Sequence, residues 1–265
     1  MKHVVMFSGG AGSWATAKRV AQVHGVKDMV LLFADTRMED EDLYRFLDEA
    51  AANVGAPLVR IADGRNVWEL FQDNHCIGNG KVDLCSRELK REPLDRWRDE
   101  NCKPEETIIY LGIDWTESHR ITRIQSRVAP WRYEAPLCQA PYLSKKDVLA
   151  WMEQEGVKPP RLYGLGFPHN NCGGFCVKAG QAQFVRLLRT MPERYAWHEA
   201  QEEKTREIQR QHGVTPSTVM YHRRGQKPGE TRTRVTMREF REDIERQPEM
   251  FDRNDWGGCG CAVDA

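Results

Sequence analysis

The stretch Val4-Val5-Met6-Phe7-Ser8-Gly9-Gly10-Ala11-Gly12-Ser13 decides the reading of this chain. A short apolar run passes straight into a loop of small residues and then into a helix-compatible segment. That order builds a cradle for a phosphate. Two adjacent glycines let the backbone approach an anion, and the Ser8 and Ser13 hydroxyls can donate to it. The N–H groups that open the following helix face the same place. The loop lacks the Gly-Lys-Ser/Thr ending of a Walker loop and the third glycine of a dinucleotide fingerprint, so it is neither of these.

Outward from this loop, residues 2–7 read as a buried strand, 13–24 as a helix and 29–34 as a second strand, an opening that favours a parallel sheet. Asp35 and Thr36 then fall at the carboxyl end of the second strand, where open α/β sheets carry ligand-binding groups. Helical spacing runs over 39–54 (Leu43, Phe46, Leu47, Ala50), and 57–61 is a third strand. A short helix is expected at 66–71 and a polar loop at 73–83. The helix expected over 87–100 contains Pro93, which implies a late start or a kink. The run Ile-Ile-Tyr-Leu-Gly-Ile makes 107–113 a strand whose end delivers Gly112, Asp114, Glu117 and Arg120. A further run covers 133–137, and Ser144 is a natural N-cap for a helix over 145–154. The expected architecture is an open parallel sheet of about five strands with flanking helices, ending near residue 155. Residues 156–265 follow as a cysteine-bearing segment, helical over 181–211 and 237–246, polar and basic over 212–236, with a flexible glycine-rich tail.

Composition sets bounds on function. The 39 basic and 39 acidic side chains among 265 residues cancel, so no global field points to nucleic acid. Apolar runs such as 29–34 are far too short to span a bilayer, and no signal-peptide core is present, so an intracellular, cytoplasmic protein without a membrane partner is expected. In such a setting the eight cysteines read as ligands or redox groups rather than as disulfides.

Four motifs occur in order: Ser8-Gly9-Gly10-Ala11-Gly12-Ser13; Cys85-Ser86-Arg87-Glu88-Leu89-Lys90 running on to Pro93-Leu94; Gly112-Ile113 followed by Glu117 and Arg120; and Leu162-Tyr163-Gly164-Leu165-Gly166-Phe167 leading to Cys172-Gly173-Gly174-Phe175-Cys176. Together they resemble the adenine nucleotide alpha-hydrolase superfamily (PP-loop ATP pyrophosphatases), in its phosphoadenylyl-sulfate reductase-like branch. The resemblance covers roughly residues 3–180. It implies a Rossmann-like sheet that holds ATP with Mg²⁺ across its carboxyl edge, and adenylation of a substrate for sulfur transfer to a nucleic acid or nucleotide-like acceptor. Ser8, Gly9, Gly10, Gly12 and Ser13 would hold the pyrophosphate, with Thr36, Gly112 and Glu117 around the nucleotide. Asp35 would contact the ribose or the metal, while Lys90 and Arg120 would neutralise developing charge.

Cys85, Cys172 and Cys176 supply three of the four thiolates of a [4Fe–4S] cluster. The fourth could come from Cys259, Cys261 or Cys76, or one iron could stay open. Zn²⁺ on the three cysteines and His169 is the other metal assignment. A reductase of adenylyl sulfates with Cys261 as nucleophile is the enzymatic alternative, and a nucleotide- or nucleic-acid-binding module with structural zinc is the non-enzymatic one. Two departures from the family pattern stand out: Cys85 has no adjacent cysteine, and Gly12 replaces an Asp found in many ATP-using members. Cys102 and Cys138 lie outside any motif and read as packing residues. His222, Arg223, Arg224, Lys227, Arg232 and Arg234 form a basic patch suited to a phosphate or nucleic-acid backbone. A sulfur-donor protein and a second copy of the chain are further candidate partners.

Overall fold

The computed structural model describes residues 1–79, 82–222, 233–249 and 251–257. Five parallel strands form the central sheet: β1 (Lys2–Met6), β2 (Met29–Asp35), β3 (Leu58–Ala62), β4 (Thr107–Tyr110) and β5 (Arg132–Glu134). Their order is β3-β2-β1-β4-β5. Val4 pairs with Val30 on one side and with Ile109 on the other, so β1 is the central strand.

The period-2 alternation of the strands sorts the layers. Val5, Phe7, Leu31, Phe33 and Ile108 point to one face, where they pack on α1 (Ala11–His24), α2 (Glu41–Val54) and α7 (Lys145–Gln154). Val4, Met6, Leu32, Ala34 and Ile109 point to the other, against α5 (Glu92–Asn101) and α6 (Ser118–Gln125). Successive connections run outward to β3 on one side of β1 and to β5 on the other, which makes the gap between the ends of β1 and β4 the topological switch point. A ligand crevice belongs there.

The loops after β1 and β4 touch at this gap. A Cβ on Gly112 would lie 3.0 Å from the Ser13 nitrogen, and one on Gly12 would lie 3.2 Å from the Gly112 carbonyl oxygen. Both glycines, expected from sequence to admit a ligand, also let α1 seat directly on the end of β4. Gly112→Ala is therefore expected to push α1 outward and destabilise the protein by about 1–3 kcal/mol, measurable as a lowered midpoint in urea.

Elsewhere the differences from expectation have local causes. The helix expected over 87–100 begins earlier, at α4 (Leu84–Ser86), and passes through a widened π-helical turn, Arg87–Arg91, before α5. Pro93 lies inside this continuous helix, immediately after the wide turn, and the π-helical widening accommodates it where sequence reading assigned a late start or a kink. Ser144 caps α7 as expected, accepting from the Asp147 N–H, whose own carboxylate accepts from the Ser144 N–H.

Beyond α3 (Val67–Asp73) and α8 (Arg161–Gly164), the segment expected as one helix over 181–211 is two, α9 (Gln181–Thr190) and α10 (Pro192–Gln211). Pro192 starts the second, and Met191 before it leaves the helical region at φ −142° and ψ 62°. A small antiparallel ribbon, β6 (Met220–His222) with β7 (Thr233–Val235), and α11 (Met237–Arg246) complete this part. Residue 155 is not a boundary between cores. Val67, Trp68 and Phe71 of α3 share one buried cluster with Phe184, Tyr195 and Phe240 from the C-terminal helices.

The end of the described chain is docked on the start of α9, and the tail expected to be flexible lies, from residue 258 on, outside the described residues. The Asp255 carbonyl accepts from the Ala182 N–H at 2.9 Å, and Gly257 bridges Ala179. Cys259 and Cys261 lie outside the described residues, as do Arg223, Arg224, Lys227 and Arg232 of the basic patch. Among the described residues no helix is long and apolar enough to cross a membrane.

His198 on α10 marks the C-terminal core as acid-sensitive. Its ring stacks on Phe175 with centroids 3.8 Å apart, and Nδ1 accepts from the Trp68 indole at 2.9 Å. Burial, helped by the nearby Arg194 charge, holds its pKa well below the ordinary value. The unfolded chain takes up a proton at this histidine below about pH 6.5 while the folded chain does not. Stability is thus unaffected above that pH and lost below it, by up to about 1.4 kcal/mol per pH unit. His198→Phe is expected to flatten this part of the acid limb, seen by comparing denaturant midpoints of the two proteins from pH 7 to 5.

Candidate functional site

A cavity of about 520 Å³ opens at the switch point, a size suited to a nucleotide. Its floor is the loop after β1: Ser8, Gly10, Ala11, Gly12 and Ser13 line it, together with Gly112, Glu117, Arg120 and Lys90. The first turn of α1 has no side-chain cap at Gly10, and its residues Ala11, Gly12 and Ser13 line the cavity, where a helix N-terminus suits an anion. Tyr163, unassigned from sequence, reaches this turn from α8 and accepts from the Ala11 N–H at 3.1 Å.

The Ser13 hydroxyl donates to the Gly10 carbonyl at 2.8 Å. It braces the loop, whereas Ser8 stays exposed to the cavity. Gly9 is tucked behind the loop, its carbonyl held at 2.8 Å by the Asn170 amide.

The charged rim is mixed. Arg120 donates to Glu117 at 2.7 Å, and both side chains line the cavity. Asp114 lines the wall, its carboxylate accepting from the Thr116 N–H at 2.8 Å. Lys145, a second residue that sequence reasoning left unassigned, lies 4.3 Å over the Tyr163 ring and lines the same cavity. Its signal was present in the sequence, since the Ser144 cap fixes where α7 begins and so places a lysine at its first turn.

Asp35 is not part of this cavity, contrary to expectation. Its carboxylate accepts from the Tyr44 hydroxyl at 2.9 Å and from the Arg37 N–H at 2.8 Å, facing α2. Asp35 shares the strand face of Leu31 and Phe33, and its bonds to Tyr44 and Arg37 hold the carboxylate against α2. The Tyr44 phenol is correspondingly pushed up by burial and by the Asp35 charge.

Thr36 takes the opposite parity and lines a second, small cavity of about 10 Å³ with Cys85, Cys172 and Cys176. Three cysteines separated by up to ninety-one positions of sequence thus share one cavity wall. Lys90 lines both cavities. His169 lines the nucleotide-sized cavity, whereas the three cysteines line the smaller one. Cys76 packs against the C-terminal core outside the thiol cavity. Cys102 packs against the sheet, and the Cys138 thiol donates to the Asp114 carbonyl at 3.3 Å, as expected of packing residues.

The donor set is soft and suits zinc or iron. The space between the thiols is that of one water-sized atom, and among the described residues no three His, Cys, Asp or Glu side chains converge closely enough to chelate an ion. A four-iron cube therefore requires the Cys172–Cys176 loop to move outward.

That loop is held from several sides. Cys172, Gly173 and Gly174 all have positive φ (49°, 58° and 84°), which turns the backbone tightly between the two thiols. The Cys172 N–H donates to the buried Glu39 carboxylate at 2.6 Å, which also accepts from Thr36 at 3.0 Å. Burial pushes the Glu39 pKa up, and the Lys90 charge opposes the shift. Asn170 on the phosphate loop and Cys172 on Glu39 make residues 170–172 a strut between the two cavities.

Comparison with known proteins places the chain coarsely. No protein-family model matches it. An uncharacterised protein of Methanocaldococcus jannaschii is 25% identical over 198 residues, covering 71% of this chain and 39% of that protein. The chain thus spans well under half the length of that relative. Phosphoadenylyl-sulfate reductase is a structural neighbour: the crystal structure of the Candida auris protein in its phosphate complex is similar at a TM-score of 0.45 and 18% identity, over 63% of this chain and 79% of that one.

Proposed function

We propose that this protein is an AMP-forming ATP pyrophosphatase that adenylates a nucleic-acid or nucleotide-like substrate and then exchanges the adenylate for sulfur. The observation that carries this reading is the shared wall at Lys90, which joins a nucleotide-sized cavity over a helix N-terminus to a cavity lined by three thiols. A substrate oxygen attacks the α-phosphorus of ATP, and the bond to the β-phosphate bridging oxygen breaks. Pyrophosphate leaves against the N–H groups of α1 and the Lys90 ammonium, which meet its growing charge. Arg120 and Lys145 border the same space. Asp114 and Glu117 line this cavity and Asp35 does not, so they would be the carboxylates to hold a Mg²⁺ there.

The thiols are the place for a soft metal, Zn²⁺ or a [4Fe–4S] cluster, which they would hold only once the three side chains converge more closely than they do here. Sulfur supplied as hydrosulfide by a donor protein would displace AMP with no net change in oxidation state.

A second reading, reduction of an adenylyl sulfate to release sulfite, is favoured by the docked tail. Gly257 lies against Ala179, three positions after Cys176, and Cys259 follows two positions later. A tail thiol, with Cys261 as the nucleophile read from sequence, could act from that anchor.

Oxygen-free purification followed by iron, sulfide and zinc analysis identifies the metal. Incubation with Mg-ATP and with phosphoadenylyl sulfate plus a dithiol separates the two chemistries. Pyrophosphate and AMP from ATP support the first reading; sulfite without ATP, abolished by Cys261→Ala, supports the second. Nucleotide binding with neither product leaves a binding module.

A further inference from the structure

Trp115, Tyr142 and Trp197 are the exposed large aromatic side chains among the described residues. Two of them are paired. The Trp115 and Tyr142 rings lie 5.8 Å apart, tilted by 52°, and they are 44% and 62% exposed. The Trp115 indole donates to the Leu143 carbonyl at 3.2 Å, which fixes the ring's orientation. Leaving two large ring faces in water forfeits their burial energy, so their pairing is a feature that calls for a partner.

Their position identifies the partner's side of the molecule. Trp115 lies between Asp114 and Glu117 in sequence, and Tyr142 immediately precedes Leu143. All three of those neighbours line the nucleotide-sized cavity, whereas the two aromatic residues do not. The pair therefore stands at the cavity's mouth. Leu143 also lines a second groove of about 470 Å³ that runs away past Arg19, Gln139 and Pro141, so the surface continues beyond the mouth.

Charge narrows the choice further. Glu117 is paired with the Arg120 cation, while Asp114 and Asp147 accept from Thr116 and Ser144. Arg120 and Lys145 line the cavity and Arg19 lines the groove, so cations border both spaces that meet at Leu143. Exposed π-faces flanked by cations suit a chain of unstacked bases joined by phosphates.

We propose that Trp115 and Tyr142 form a base-stacking platform that presents a single-stranded nucleic acid to the nucleotide cavity. This rests on the reading of that cavity as an adenylating site, of which it names the acceptor. A duplex keeps its base faces stacked inside and gains nothing from the platform.

The test is fluorescence anisotropy with a short fluorescein-labelled single-stranded RNA of mixed sequence and the full chain at physiological salt, with the same sequence annealed as a duplex. ATP binding is measured separately by calorimetry. The expected result is preference for the single strand, a loss of about five- to twentyfold in affinity for Trp115→Ala and for Tyr142→Ala, and recovery in Trp115→Phe. Tyr142→Ala removes an exposed ring and keeps the test independent of folding at Trp115. Equal binding of duplex and single strand, no binding of the RNA, or alanine variants that bind like the parent would each overturn the platform, even with ATP binding intact. Loss of RNA affinity in the variants of a protein that binds no ATP would uphold the platform and sink the adenylation reading instead.

Discussion

Replacing Lys90 by methionine is expected to slow Mg-ATP-dependent pyrophosphate release by about 10²–10³-fold, the effect of deleting one charge-stabilising donor from a water-poor site. Lys90 lies on the π-helical turn that widens the helix between α4 and α5, and it lines both cavities. The same substitution removes the cation that opposes desolvation of the buried Glu39 carboxylate. It should therefore also cost about 1–3 kcal/mol of stability, through a buried acid left without its charge partner. These two effects separate in the double variant. Adding Glu39→Gln to Lys90→Met removes the uncompensated charge, so the unfolding midpoint should recover while the rate does not. A rate that recovers with stability would mean that Lys90 acts on folding alone. Asp35→Asn is the contrasting control: its carboxylate faces Tyr44 and Arg37 outside the cavity, so the rate should stay within about twofold of the parent.

The difference between Lys90 and Asp35 shows what sequence could and could not tell. The loop after β1, the strands on either side and the cap at Ser144 were legible because each rests on neighbours in sequence: an apolar run, small residues, a hydroxyl three residues before a carboxylate. Asp35 was placed correctly at a strand end but given the wrong face. Counting alternation from Phe33 would have turned it toward α2. The gathering of Cys85, Cys172 and Cys176 was inferred from motif order, and the structure brings all three to one cavity wall. Tyr163 and Asn170 were not legible as site residues, since they reach the phosphate loop from more than 150 positions away through contacts that no local pattern encodes. The ribbon of β6 and β7 was missed for a related reason: its strands are three residues each, too short to show a period.

Gly173→Ala is expected to be the most damaging substitution in the thiol loop. The residue has φ +58°, and a Cβ there would lie 1.8 Å from a terminal guanidinium nitrogen of Arg194. That guanidinium is itself fixed, donating to the Met38 and Glu39 carbonyls. The methyl cannot be accommodated by a small rotation of a free side chain. Either Arg194 gives up its carbonyl partners or the Cys172–Cys176 turn opens. Left-handed backbone at a non-glycine residue costs about 1–2 kcal/mol, and overpacking adds about 1–3 kcal/mol. A loss of about 2–5 kcal/mol in a chain of this length lowers the thermal midpoint by roughly 5–15 °C. Strain and collision can be told apart. Combining Gly173→Ala with Arg194→Ala removes the collision but not the left-handed backbone cost, so the two substitutions should be less than additive by about 1–3 kcal/mol. Strict additivity would show that Arg194 does not shape the turn. Zinc uptake by the apo-protein, followed with a chromophoric chelator, should fall in Gly173→Ala and return in part in the double variant, because the turn between Cys172 and Cys176 sets how closely their thiols can approach a common ion.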